Sequence, residues 1–356
     1  MSQDTDKPEE APKPKGRRFL RALLVLSLIL PMLAVALAGG VYLMGKSIFV
    51  AEGPLTEPKI VWLEKGLGLN AITARLNEAG VISQPLIFRL ATRLSGASAS
   101  LKAGEYEFPA RVSMAEIVRM LKGGKSILHR ITIPEGLTTQ QVMAIVKADP
   151  VLVGDLPMLP SEGVLLPETY NFTRGTTRSE IVARMQRAQT ELMTGLWPNR
   201  AADLPVKTPQ EALILASIVE KETGLKSERP QVAAVFVNRL RIPMRLQSDP
   251  TIVYGITLGA GPLGRPIRRS EIDRVTPYNT YQIDGLPPTP ISNPGRASIE
   301  AVLNPPATKD LYFVADGTGG HAFAPSLAGH ERNVREWRKI ERAPKAEEPG
   351  KDKAPD

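Results

Sequence analysis

The chain has 356 residues, 42% hydrophobic and 23% charged, with a net charge of +8, the balance of an ordinary globular protein long enough for two cores. Cysteine is absent, which excludes disulfides, thiolate metal sites and a cysteine nucleophile. The three histidines, His129, His321 and His330, are too widely spaced for a local zinc motif, so no metal is expected.

Residues 1–20 are rich in Pro, Asp, Glu and Lys and are expected to form a tail without a packed core. Ala22 to Met44 is a run of 23 uncharged residues, about 34 Å long as a helix, enough to span a bilayer. A transmembrane helix is therefore expected over 21–45. The run exceeds the apolar segment of a signal peptide and lacks an A-x-A site before Gly39-Gly40, which favours retention. Lys13, Lys15, Arg17, Arg18 and Arg21 precede it and Lys46 alone follows closely, which places the N-terminus in the cytoplasm and the rest outside. That location argues against nucleic acid as the partner of the basic ectodomain; anionic headgroups or an acidic wall polymer fit better, and plain solvation fits equally well.

Two stretches, 60–82 and 131–150, share a short β-branched strand, a glycine turn, a polar cap and a 3.6-residue apolar pattern, the signature of a repeated strand-turn-helix unit. Between them, Tyr106 and Phe108 mark a strand, Ser113 and Glu116 a capping box, and Gly123-Gly124 a helix stop. Residues 54–128 thus form a small βα module whose size and order resemble a LysM-like carbohydrate-binding module; a packing domain without a ligand has even standing. A helix is expected from about Arg178 to Leu196, and another after Thr208-Pro209-Gln210-Glu211, with Gly224 as its stop. The last 16 residues, 341–356, read as a second tail.

The helix after Thr208 carries LILASIVEKETG, 213–224. Glu220 follows an apolar run and lies above the small Ala216 and Ser217, whereas Glu222 projects about 200° away. A carboxyl so placed is expected to be partly desolvated and to hold a proton near neutral pH, as a general acid requires; a solvated glutamate at a helix end is the plainer alternative.

ASIVEKETG (216–224), SERPQVAAVFVNRLRIPMRLQSDPTIVYGI (227–256), TPYNTYQIDGLPPTPISNPG (276–295) and LYFVADGTGGHAF (311–323) follow one another in an order that resembles the MltG, or YceG-like, family of endolytic peptidoglycan lytic transglycosylases. The resemblance runs from about residue 55 to 338 and includes EGVLLPETYNF, 162–172. It implies an α+β fold with one N-terminal transmembrane helix, a LysM-like module and a mixed α/β catalytic domain over 129–340. It also implies a single-pass inner-membrane protein that cleaves nascent glycan strands internally, leaving 1,6-anhydro-N-acetylmuramic acid ends, with peptidoglycan synthases as neighbours and no cofactor. On this resemblance the catalytic glutamate falls on Glu220.

A glycoside hydrolase commonly needs two carboxyl groups. A lytic transglycosylase needs one, because the C6 hydroxyl of the muramic acid attacks C1 while the same carboxyl first gives and then takes a proton. Candidate substrate contacts are Gln247, Ser248 and Asp249 on a turn, Tyr278, Asn279, Thr280 and Tyr281, which combine ring faces with amide and hydroxyl groups, and His321 and Phe323. Each has a structural alternative: a self-capped turn, an edge strand packing two tyrosines, and the end of a strand. Asp249 is expected to orient the site, since the reaction leaves it no proton to move. A non-catalytic wall-binding scaffold is the other functional reading.

Overall fold

The computed structural model describes residues 15–342. The expected tails lie mostly outside them; residues 15–20 open the first helix and 341–342 close the last. Internal contacts divide the chain into two units, Met1–Ile127 and Leu128–Asp356.

The first unit begins with helix α1, Lys15–Val50. Its stretch Leu23–Val50 includes an 18-residue window of mean hydropathy 2.4, none of which is buried, so by length and composition it can cross a membrane. Strand β1 (Lys59–Leu63), helices α2 (Leu69–Glu78) and α3 (Pro85–Leu94), strand β2 (Gly104–Phe108) and helix α4 (Met114–Gly123) follow. β1 and β2 pair antiparallel, Lys59 opposite Phe108 and Leu63 opposite Gly104. Leu63, Leu76, Phe88, Tyr106, Phe108, Ile117 and Leu121 interlock beneath this ladder, each almost fully buried, and each such side chain stabilises the unit by roughly 1.5–3 kcal/mol. The Ser113–Glu116 capping box is formed as the sequence requires, and α4 stops where Gly124 takes a left-handed φ of 66°.

The second unit opens with strand β3 (His129–Thr132), helix α5 (Thr139–Ala148), strand β4 (Thr169–Phe172) and helix α6 (Arg178–Leu196). β3 and β4 form an antiparallel pair. Thr138–Gln141 and Thr177–Glu180 capping boxes start the two helices. Each copy of the strand-turn-helix pattern therefore folds as such, one in each unit. Helix α7 (Pro209–Glu222) is N-capped by Thr208, with Pro209 in its first turn. It ends at Glu222, two residues before Gly224, because Thr223 is already extended at φ −133°.

Every residue of α7 from Ala212 to Glu220 is buried, the position of a helix that is apolar all round. Helices α8 (Arg229–Arg241), α9 (Asp249–Thr257), α10 (Arg269–Ile272) and α11 (Arg296–Leu303) follow, and α7, α8 and α11 pack against one another around the larger core. Strands β5 (Tyr312–Ala315) and β6 (His321–Ala324) form a third antiparallel pair, and helix α12 (Leu327–Arg342) lies against it. Helix and strand are thus both present, and the described strands form three two-stranded antiparallel ladders.

Candidate active site

The C-terminal turn of α7 carries two glutamates with different surroundings. Glu220 is 8% exposed and both its oxygens are taken. Arg229 Nη2 donates to Oε1 at 2.7 Å, while Gly295 N and Ser298 Oγ donate to Oε2 at 3.0 and 2.7 Å. The same Arg229 nitrogen reaches Glu135 at 2.9 Å. The small Ser217 expected beside Glu220 turns back to the Ile214 carbonyl and receives Ile291 N, and the start of α11 covers the carboxyl through Gly295 and Ser298. Both oxygens thus already face donors supplied by the protein itself. Glu220 ties α7 to α8 and to the start of α11.

Glu222, two positions on, is half-buried. Burial pushes its carboxyl up to about 7, and the nearby Asp249 charge adds to this; a hydrogen bond from Ser248 Oγ and the charges of His321 and Arg239 pull in the opposite direction. A carboxyl in that range can both give and take a proton near neutral pH. Its surroundings come from distant parts of the chain. Ser248 precedes α9 and is held from behind, its N–H donating to Thr280 Oγ1 at 2.9 Å and Thr280 Oγ1 pairing with Thr251 Oγ1 at 2.9 Å. Arg239, 6% exposed, is fixed by the carbonyls of Leu311 and Leu246, each at 2.7 Å. His321, at the start of β6, pairs through Nδ1 with Glu228 at 2.8 Å.

The sequence-expected contacts fall in different places. Ser248, Asp249, Thr280 and Tyr281 meet around Glu222: Tyr281 Oη donates to Asp249 Oδ1 at 2.7 Å, and burial, then this bond, pushes the phenol upward. Gln247 is exposed, in a left-handed conformation at φ 54°, with its N–H on the Thr280 carbonyl. Asn279 and Tyr278 serve the loop itself. The Asn279 amide donates to the carbonyls of Glu271, Ile272 and Arg274, and Tyr278 bonds Thr289 at 2.9 Å while packing on Tyr254. These residues lie in turns, not an edge strand. Phe323 packs on Phe313 and the larger core. Glu222 is visible in the sequence but not preferred there to Glu220; Arg239, Arg229 and Asn293 are not singled out, because their partners lie far along the chain and leave no local pattern.

Beside these groups a cleft of about 620 Å³ opens, lined among others by Lys221, Asp249, Tyr254, Thr138 and Arg265. One wall is braced by Glu162, which accepts from Thr139 N at 2.7 Å and from Tyr254 Oη at 3.2 Å, and which burial pushes up despite those bonds. Among the described residues no group of His, Asp or Glu is arranged to hold a metal ion.

The model of the YceG-like family matches residues 61–336. The chain belongs to the YceG-like family. It is 29% identical over 327 residues to the endolytic murein transglycosylase of Bacillus subtilis (strain 168), covering 83% of this chain and 89% of that one. It is 30% identical over 326 residues to the endolytic murein transglycosylase of Streptococcus pneumoniae serotype 2 (strain D39), spanning 78% of this chain but only 58% of that longer relative. A solved yceG-like protein from Listeria monocytogenes is 29% identical, covering 78% of this chain and 99% of its own, with a TM-score of 0.45. The matched span of this YceG-like chain takes in all of α7 and the loops that meet it.

Proposed function

We propose that this YceG-like protein is an endolytic peptidoglycan lytic transglycosylase in which Glu222 is the acid and base. The observation that carries the reading is the Glu222 carboxyl, raised to about 7 and hydrogen-bonded by a Ser248 that is itself locked in place, in a chain similar to murein transglycosylases over most of its length. Protonated Glu222 gives its proton to the glycosidic oxygen as the bond from C1 of N-acetylmuramic acid to the N-acetylglucosamine oxygen breaks. The C6 hydroxyl of the same muramic acid then bonds to C1 and returns its proton to Glu222. No water is consumed, and the carboxyl ends as it began. Asp249, held by Tyr281, orients the glycan, since the reaction leaves no further proton transfer for it to carry out.

Glu220 is assigned a positioning role, since its oxygens are filled by Arg229, Gly295 and Ser298. The apolar stretch of α1 from Leu23 onward, with basic residues concentrated before it, supports a single-pass anchor in the cytoplasmic membrane with the catalytic unit outside, near the synthases that make the strands. The unit over 54–128 is read as a LysM-like glycan-binding module on its strand-helix order.

Mass spectrometry of products from uncrosslinked peptidoglycan tests this. Ends lighter by one water than hydrolysed ends are expected, and Glu222→Gln should abolish them with the fold retained. Hydrolysed ends would refute the reaction; loss of product in a folded Glu220→Gln, with Glu222→Gln active, would return the role to Glu220. Anhydro ends from the wild type also dispose of the wall-binding scaffold.

A further inference from the structure

A second cleft of about 740 Å³ opens between α6 and the start of α7, and Val164, Gln189, Met193, Trp197, Pro209 and Leu213 are among its walls. The inward stripe of α6 runs Ile181, Met185, Gln189, Met193 at four-residue spacing, so position 189 calls for an apolar side chain. Gln189 is 4% exposed, and neither its Oε1 nor its Nε2 meets a hydrogen-bonding partner among the described residues. A buried carboxamide left unpaired is a standing cost that Met or Leu of similar size would avoid. It is repaid if the occupant of the cleft brings one acceptor and one donor. Trp197 is half-buried, packed on the core, with the Arg200 guanidinium 4.0 Å from its ring centroid, so the indole stands as a fixed wall.

An acetamido group matches this lining: its carbonyl accepts from Nε2, its N–H donates to Oε1, and its methyl meets Met193 and the indole, against which a sugar face can rest. The position favours a glycan. Ser161 and Val164 line this cleft, while Glu162 between them braces Tyr254 and Thr139, and Tyr254 lines the cleft beside Asp249. One short loop is thus shared by both.

We propose that the Gln189–Trp197 cleft is a second glycan subsite that binds the acetamido group of an amino sugar remote from the bond being broken. The proposal rests on the reading of this protein as a glycan-cleaving enzyme. Its test is titration calorimetry of the full chain in detergent micelles with di-N-acetylchitobiose, with cellobiose and N-acetylalanine amide as controls, repeated on Gln189→Met. The expected result is binding of the acetamido disaccharide that weakens about tenfold or more in Gln189→Met, the scale of two lost hydrogen bonds, with cellobiose silent and the melting temperature of the variant equal to or above that of wild type. Equal binding by wild type and variant, equal binding of cellobiose, or Gln189-dependent binding of the alanine amide alone would each overturn it. Product analysis separates the two readings: anhydro ends without Gln189-dependent binding remove the subsite and leave the catalytic reading, and the reverse result does the opposite.

Discussion

Glu222→Gln carries a signature in stability as well as in activity. A carboxyl held at about 7 where its ordinary value is 4.5 binds its proton more tightly in the folded chain than in the unfolded one. Below pH 4.5 both states are protonated and burial of Glu222 costs little. As pH rises toward 7, the unfolded chain ionises freely while the folded chain must keep the proton or bury a charge, so stability falls across this window and levels off above it. At about 1.4 kcal/mol for each tenfold in proton affinity, the full loss is about 3 kcal/mol, reduced to ~2 kcal/mol by the solvent that reaches a half-buried group. Glutamine has no proton to lose, so Glu222→Gln lacks this slope. The measurement is urea denaturation of both proteins in micelles from pH 4 to 8, followed by tryptophan fluorescence, to which Trp197 and Trp337 of the second unit contribute. A stability difference that stays constant over that range would show that Glu222 titrates as an ordinary carboxyl and would remove the basis for its assignment.

Glu220→Gln should behave otherwise: it leaves the Arg229 charge buried with Glu135 as its remaining anionic partner, at a cost of about 3–5 kcal/mol, read as a lower melting temperature with activity falling in proportion to the folded fraction. Ser248→Ala removes a hydrogen bond that favours ionised Glu222, so the carboxyl rises further and the alkaline limb of the pH–activity profile moves to higher pH; an unmoved limb would dissociate Ser248 from the acid. Asn293→Ala strips a fully buried amide that accepts from Leu165 N and donates to the Leu137 carbonyl, each at 3.0 Å. It should cost about 2–4 kcal/mol, and denaturation that matches wild type would show the tie to be dispensable.

Much of the local structure was legible because its causes are local. The bounds of α6 follow from Thr177 and the apolar stripe, those of α4 from Ser113 and Gly124, and the start of α7 from Thr208-Pro209. The apolar run of α1 is equally plain. The apolar run preceding Glu220 leads to the expectation that this carboxyl is partly desolvated, and every residue from Ala212 to Glu220 is buried. For Tyr278 and Asn279 it could not tell structure from contact, because a buried amide that caps three carbonyls has the same composition as one that binds a sugar.

By itself, then, the sequence determined where α1, α2, α4, α5, α6 and α7 form, and that the last turn of α7 carries two carboxyls pointing apart. Only the tertiary structure decided what each one faces. Helical phase sets a direction, but the partners at the end of it arrive from elsewhere: Arg229 nine residues away and Ser298 78 residues away for Glu220, Ser248 26 residues away for Glu222. A carboxylate met by a guanidinium, a backbone N–H and a hydroxyl differs in its partners from one met by a hydroxyl beside another acid, and no spacing within LILASIVEKETG contains that difference.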